Sequence, residues 1–262
     1  MSNPLDLPLD PHMPRLAQRP RSATALALGA AALTLCAATA SSTLVQWARV
    51  RNALRAGPGK QAEAHDAPEP ASTPSMRLLL VGDSAALGVG ADGPRHSLAG
   101  LIAADFPDAE VRNLARSGAM LTDVHAQLQA AGTGFDVAVI VAGGNDILRR
   151  RRMAQIARDA DAVMADLAPR ARTVVWLGVA NMGLAPLFVP PWSWWVSARV
   201  RRARPLFAAA ALRHGVCYLD FFREARDDVF SRDPLRYFAA DGIHPSSSTY
   251  RHCYEVLRGK LD

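Results

Sequence analysis

Short apolar runs alternate with amphipathic stretches along the chain from residue 76 to the C-terminus. Runs of strand length occur at residues 77–81, 110–114, 136–142, 173–179 and 216–219. The run at 136–142 is apolar without alternation, as expected of a strand that is covered on both faces. The five runs therefore predict strands of a buried sheet.

Helical patterns separate these strands. They predict helices at residues 98–104, 122–131, 153–168, 195–213 and 246–257. The pattern at 153–168 is the clearest, because Ile156, Val163 and Leu167 fall on one face of a helix and Asp159 falls on the other. Strands that alternate with helices predict an α/β fold, with three layers (α/β/α) around a mainly parallel five-stranded sheet.

The first quarter of the chain has a different composition. Residues 1–21 are basic and rich in proline, and residues 22–48 carry no charge and are long enough to cross a bilayer as a helix. Residues 49–75 are largely nonperiodic and rich in Ala, Pro and polar side chains, which predicts a flexible linker. The folded domain is therefore expected at residues 76–262.

Two interpretations of residues 22–48 stay open. A signal peptide would be cleaved after the small-residue site at 38–40, whereas an uncleaved anchor would continue to Trp47, whose ring suits a membrane interface. We favour the anchor, because apolar residues continue beyond Ala40. Arginines flank the run on both sides, so charge does not decide its orientation. Because most such anchors place the following domain outside the cytoplasm, we expect this one in the periplasm, either membrane-anchored or secreted.

Four polar stretches stand at the ends of predicted strands or before the last helix. Residues 82–84 (Gly-Asp-Ser) follow the first strand, residues 113–118 follow the second, and residues 143–146 follow the third. Residues 241–244 (Asp-Gly-Ile-His) precede the last helix. In an open α/β sheet, ligands bind at the carboxyl edge of the strands. The pattern therefore predicts that these stretches build a site at that edge.

The four stretches contain the groups that hydrolysis of an ester by a serine requires. Ser84 is the candidate nucleophile, His244 is the base that takes its proton, and Asp241 is the group that fixes the tautomer of His244. The candidate oxyanion donors are the backbone N–H groups of Ser84 and Gly118 and the side-chain amide of Asn145.

Together, and in this order, the motifs resemble the conserved blocks of the SGNH hydrolases, the GDSL esterase and lipase family. The matching residues are Gly82-Asp83-Ser84, Gly118, Gly143-x-Asn145-Asp146 and Asp241-x-x-His244. The pattern is most similar to the bacterial thioesterase and lysophospholipase branch. The resemblance implies a three-layer, flavodoxin-like α/β/α fold and hydrolysis of acyl esters or thioesters without a metal or a cofactor. In one departure, Ala85 stands where the family name records a leucine, which affects the lining of the pocket rather than the chemistry.

Two other functions fit the same scaffold. A carbohydrate O-acetyl esterase would use the same catalytic groups with a different pocket, and a noncatalytic envelope protein would only bind a glycan or a lipid. Trp192, Trp194 and Trp195 lie in what the sequence predicts to be a loop broken by proline, and their rings suit an acyl chain or a sugar. The expected substrate is therefore a small-molecule ester, a lipid or an acylated glycan, and the oligomeric state is left open.

Composition argues against several other classes of protein. The net charge of +6 is carried almost wholly by arginine, but no basic motif with interleaved aromatic residues indicates binding of nucleic acid. A G-x-G-x-x-G match at 88–93 begins well after the first strand and runs into Pro94, so it does not predict a dinucleotide cofactor.

Cys217 and Cys253 could pair in an exported domain or could be two buried thiols.

Overall fold

The computed structural model describes residues 23–56 and 74–261. The chain divides into two compact units, one ending at Ser41 and the other beginning at Ser42. The basic segment predicted at 1–21 and residues 57–73 of the predicted linker lie outside the described residues.

The uncharged run forms one long helix, α1 (Ala23–Ala56). Within it, residues Ala27–Asn52 are long and apolar enough to cross a membrane, a test that a signal sequence near the N-terminus also passes. Large apolar side chains such as Leu28, Leu33 and Trp47 are exposed on it. The helix does not end at Ala48 but continues into the segment predicted as linker.

Five strands form a single parallel sheet with the order β2-β1-β3-β4-β5. The strands are β1 (Met76–Gly82), β2 (Ala109–Asn113), β3 (Phe135–Val141), β4 (Ala171–Leu177) and β5 (Cys217–Leu219). The chain enters the sheet at β1, next to the edge strand β2, and then crosses back past β1 to add β3, β4 and β5 on the other side. This order places a change of winding direction between β1 and β3, where open α/β sheets bind ligands.

Helices connect the strands and follow the last one. They are α2 (Ser84–Leu87), α3 (Leu98–Asp105), α4 (Leu121–Ala131), α5 (Gly144–Leu148), α6 (Met153–Leu167), α7 (Trp192–Arg213), α8 (Val229–Arg232), α9 (Pro234–Tyr237) and α10 (Ser247–Arg258). Single 3-10 turns lie at Pro94–His96, Ala168–Arg170 and Met182–Leu184.

Apolar side chains cover the sheet on both faces. Strand β1 shows the alternation, because Leu79 and Val81 pack toward α4, α6 and α7, whereas Leu78 and Leu80 pack toward α3 and α10. All four side chains are fully buried. At about 25 cal/mol for each Å² of apolar surface removed from water, this double cover is the main stabilising contribution to the fold. The predicted three-layer α/β/α class with five parallel strands is confirmed.

The structure corrects one local prediction and adds short helices. Helix α7 begins directly after Pro191, three residues before the predicted helix start at 195, so Trp192, Trp194 and Trp195 form its first turn and do not lie in a loop. Proline is tolerated at a helix start, where its missing N–H would have no partner anyway. The short helices α2, α5, α8 and α9 carry too few residues for a periodic pattern. Cys217 and Cys253 are free thiols.

Candidate active site

Ser84 lies where strand β1 gives way to helix α2. Asp83 caps this helix, since its Oδ1 accepts a hydrogen bond from the N–H of Ala85 at 2.9 Å. Ser84 is therefore the first residue of α2, and its own N–H lies at the end of the helix where amides have no partner within the helix. This position puts both the hydroxyl and the N–H of Ser84 at the carboxyl edge of the sheet.

The His244 side chain joins Ser84 to Asp241. Its Nε2 lies 3.0 Å from Ser84 Oγ, and its Nδ1 lies 2.5 Å from Asp241 Oδ2. When Nδ1–H donates to the carboxylate, Nε2 carries the lone pair that can accept the proton of the hydroxyl. The fold thus brings together three residues that the sequence predicted as one unit, although Ser84 and His244 are 160 positions apart.

Asp241 is held by the turn that it begins. Its Oδ1 accepts hydrogen bonds from the backbone N–H groups of Ile243 at 2.9 Å and His244 at 3.0 Å. Burial by itself raises the pKa of the Asp241 carboxyl, but the hydrogen bonds from the His244 side chain and from the two backbone groups together lower it to about 2. Asp241 is therefore ionised at neutral pH and keeps the ring of His244 in one orientation.

The other two predicted donors lie in a helix and in the loop that it contacts. Asn145 is in helix α5, and its Nδ2 donates one hydrogen bond to the carbonyl of Ala119 at 3.0 Å. An amide nitrogen carries two hydrogens, so the second is left for a ligand. Gly118 precedes Ala119 and has a φ of 77°, a conformation that favours glycine. Asn145 lines the same cavity as Ser84, and Gly118 adjoins the loop residue that Asn145 holds.

Two buried carboxyl groups brace the loops around the site. Asp146 is fully buried, accepts a hydrogen bond from the N–H of Leu121 at 3.0 Å and lies 3.7 Å from Arg151 Nε. Burial raises the pKa of Asp146 above its ordinary value. Burial likewise raises the pKa of Asp83, to about 6. The hydrogen bond from the N–H of Ala85 and the positive charge of protonated His244 oppose this rise, whereas the negative charge of Asp146 adds to it.

Replacing Asp83 with Asn is expected to change how the stability of the protein depends on pH. The pKa of Asp83 is about 6 in the folded protein and 3.8 is its ordinary value, which applies to the unfolded chain. The folded state therefore loses stability relative to the unfolded state as the pH rises through this range. This shift corresponds to about 3 kcal/mol. Asn keeps an oxygen that can accept from Ala85 but does not ionise.

The measurement is the free energy of unfolding by denaturant for both chains between about pH 4 and pH 7. The difference should grow in favour of the Asp83→Asn variant as the pH rises. A difference that stays constant across this range would contradict a raised pKa at Asp83.

Two site-supporting amides have no predicted role in the sequence. Gln127 is buried, donates from Nε2 to the carbonyl of Gly82 at 2.8 Å and accepts from the N–H of Gly82 at 2.7 Å. Asn113 donates to the carbonyl of Ala86 at 3.0 Å. The two amides fix the strand end before Ser84 and the helix after it. Gln127 could have been recognised from the sequence, because it lies on the apolar face of a predicted helix, where a buried amide requires a hydrogen-bond partner.

A cavity of about 280 Å³ opens beside Ser84. Ser84, Asn145 and His244 line it together with a mostly apolar set of side chains, which includes Leu177, Met182, Phe221, Phe230, Ile243 and Tyr250. Apolar walls with a few converging polar groups are typical of small-molecule sites. The cavity can therefore hold a hydrocarbon group next to the Ser84 hydroxyl.

The domain is similar to solved structures of hydrolases. LAE5, an α/β hydrolase enzyme from the metagenome of Lake Arreo in Spain, is 21% identical with a TM-score of 0.56, and the match covers 73% of this chain and 98% of LAE5. Phospholipase A1 from Streptomyces albidoflavus NA297 is 18% identical with a TM-score of 0.55, covering 71% of this chain and 99% of that one. TesA is 24% identical with a TM-score of 0.54, covering 71% and 98%. These likenesses show the shared fold.

Sequence comparison identifies the family. The model of the GDSL-like lipase/acylhydrolase family matches residues 80–252, a range that contains Ser84, Asn145, Asp241 and His244. The chain therefore belongs to this family of SGNH hydrolases and is a serine esterase. Comparison with curated proteins gave no match.

Proposed function

We propose that the chain hydrolyses acyl esters or thioesters through Ser84, with His244 as base and Asp241 as its orienting group. The observation that carries the proposal is the hydrogen-bonded row from Asp241 through His244 to Ser84 Oγ, placed on an apolar cavity. Family membership supports hydrolysis of acyl esters in general, and the row supports these three residues as the ones that perform it.

The reaction proceeds in two steps. Ser84 Oγ attacks the acyl carbon while His244 Nε2 takes the hydroxyl proton, and His244 then gives that proton to the leaving alkoxide or thiolate. In the second step, water attacks the acyl-Ser84 ester while His244 Nε2 takes a proton from the water, and His244 then gives that proton to Ser84 Oγ as the carboxylic acid leaves. The ionised Asp241 stabilises the imidazolium that forms in each step.

Three donors stabilise the negative charge that develops on the acyl oxygen. They are the N–H of Ser84, the N–H of Gly118 and the free hydrogen on Asn145 Nδ2. Support comes from the position of Ser84 at the start of α2, where its N–H has no partner within the helix, and from the bond of Asn145 to Ala119, which fixes the amide.

Replacing Asn145 with Ala is expected to lower kcat by about 10²–10³-fold and to change KM far less. The amide contributes mainly in the transition state, when the charge on the oxygen is largest. Steady-state kinetics on a short p-nitrophenyl ester test this, with circular dichroism to check folding. Ser117→Ala is the matched control, because Ser117 is exposed and adjoins Gly118. An Asn145→Ala chain as fast as the parent would contradict the oxyanion role.

The lining of the cavity favours an acyl chain over a sugar as the group beside Ser84. Phe221, Phe230 and Ile243 present hydrocarbon, whereas a glycan needs many hydrogen-bonding groups. We therefore place the acyl group of a lipid-like ester or thioester in this cavity.

The test is a series of p-nitrophenyl esters and matching thioesters of increasing acyl length. Each methylene that enters the cavity should raise kcat/KM about fourfold, the equivalent of about 0.8 kcal/mol, until the cavity is full. Rates of the Ser84→Ala chain provide the blank. A series that is fastest at the acetyl ester and falls thereafter would contradict the acyl-chain assignment and favour a carbohydrate O-acetyl esterase.

We also place the enzyme at the membrane, with its hydrolase domain in the periplasm. Support for the membrane location comes from α1, whose uncharged residues form a helix of membrane-spanning length with exposed apolar side chains. The intact mass of the chain extracted from membranes tests retention of the helix. The full-length mass supports an anchor, and loss of the residues up to Ala40 would show a cleaved signal.

A further inference from the structure

Three polar side chains line one face of α1 near its C-terminal end. Ser42, Gln46 and Arg49 follow the i, i+4, i+7 spacing that places residues on the same side of a helix. Each donates a hydrogen bond to a backbone carbonyl of residues 186–190, here named the docking loop. All of these residues belong to the unit that begins at Ser42.

Gln46 makes the best-defined of these contacts. Its Nε2 donates to the carbonyl of Leu187 at 3.1 Å, and its Oε1 accepts from the N–H of Val189 at 3.0 Å. Gln46 is also the only buried residue among the side chains described in α1, at 8% exposure, whereas Leu44 and Trp47 beside it are 72% and 65% exposed. At this point the helix buries its glutamine and exposes its leucine and tryptophan, the reverse of what an apolar helix packed on a core would do. The burial of Gln46 therefore reflects a specific partner for its amide.

The docking loop continues this contact to the turn that carries Asp241 and His244. The N–H of Leu187 donates to the carbonyl of Gly242 at 2.9 Å. The packing is close, since a Cβ on Gly242 would lie 3.2 Å from the Leu187 nitrogen. Gln46 and Gly242 therefore hold opposite sides of one residue, because Leu187 uses its carbonyl for the first and its N–H for the second.

We propose that Gln46 is a positioning residue for the catalytic turn 241–244, acting through the docking loop. The expected effect on catalysis rests on the proposed function, whereas the structural link does not. The turn must keep His244 Nε2 within reach of Ser84 Oγ, and the Leu187 bond restrains its backbone from outside the site. Fixing the docking loop from α1 reduces the freedom of the turn, and misplacement of a reacting group by about 1 Å costs up to about 10²-fold in rate.

The arrangement is compatible with both fates of the N-terminal segment. Cleavage after Ala40 would leave residues 42–49 on the chain. If the helix is retained, Ala23–Ser41 alone spans roughly 28 Å at 1.5 Å per residue, close to the ~30 Å hydrocarbon core of a bilayer, so the part of the apolar run Ala27–Asn52 that lies beyond Ser41 is not needed to cross the membrane. Residues 42–49 can therefore contact the docking loop in either case.

The test uses the full chain in detergent and compares Gln46→Ala with Asn52→Ala. Asn52 is an exposed amide in the same helix and serves as the matched control. Gln46→Ala is expected to lower kcat on a short ester about tenfold and to leave KM within about twofold. Hydrogen–deuterium exchange should rise in peptides covering 185–190 and 239–246. Asn52→Ala should match the parent in both measurements.

The exchange measurement separates this inference from the function on which it rests. If the parent chain hydrolyses no ester, the proposed function fails, and increased exchange at 239–246 in Gln46→Ala would still support the link from α1 to the turn. Unchanged exchange at 239–246, or a kcat equal to that of Asn52→Ala in an active chain, would overturn the positioning role. If Gln46→Ala does not fold, Gln46→Glu serves instead, because it keeps the acceptor for Val189 and removes the donor to Leu187.

Discussion

Replacing Ser84 with Ala is expected to lower kcat on a p-nitrophenyl ester by about 10⁶-fold, the effect seen when a serine nucleophile that acts as part of such a unit is removed. The alanine chain has no oxygen to form the acyl intermediate, and His244 then has no hydroxyl to deprotonate. The fold should be unaffected, because the capping bond of α2 is made by Asp83 and not by Ser84.

The control for this variant is Ser117→Ala, which removes an exposed hydroxyl from a neighbouring loop. It should retain nearly the full rate. Burst-phase release of p-nitrophenol should also disappear in Ser84→Ala, since no acyl-enzyme can accumulate. Substantial turnover by a folded Ser84→Ala chain would show that a different group performs the attack.

Replacing Asp241 with Asn is expected to lower kcat at neutral pH by about 10⁴-fold. Asn can still accept from the backbone N–H groups of Ile243 and His244, so the turn should keep its shape. Its NH₂ group, however, would donate to His244 Nδ1 and force the remaining ring proton onto Nε2. That tautomer cannot take the proton of Ser84.

The matched control for the Asp241 variant is Asp227→Asn, because Asp227 is exposed and its carboxylate pairs with its neighbour Arg226 at the surface. This control should be fully active, in line with the small energies of surface ion pairs. Thermal unfolding checks that Asp241→Asn stays folded. A folded Asp241→Asn chain with a nearly normal kcat would mean that His244 does not depend on the carboxylate for its tautomer.

Much of the fold could be predicted because the sheet is buried on both faces. A strand in that position must be apolar along its whole length, and residues 136–142 show this directly. The site could be predicted in part for a related reason. Polar residues directly after such a strand, as in Gly82-Asp83-Ser84, reach solvent at the one edge where parallel strands end together.

Other features depend on contacts between distant parts of the chain and have no local pattern. The segment with Trp192 and Trp194 is predicted as a loop because it contains prolines 190 and 191, whereas Pro191 directly precedes the first turn of α7. Gln46 lies in an uncharged run whose composition predicts a membrane helix, and its partners lie more than 140 positions away. Only the folded chain shows that this amide is buried.

The central claim is that Ser84 is the activated nucleophile, and covalent labelling tests it most directly. The full chain is treated with a fluorophosphonate probe, digested and mapped by mass spectrometry, with a His244→Ala chain treated in parallel. We expect one modified residue, Ser84, and a strong loss of labelling in His244→Ala, because the Ser84 hydroxyl then lacks its base. Labelling at another residue, or equal labelling of Ser84 in the two chains, would contradict the assignment of Ser84 as the activated nucleophile.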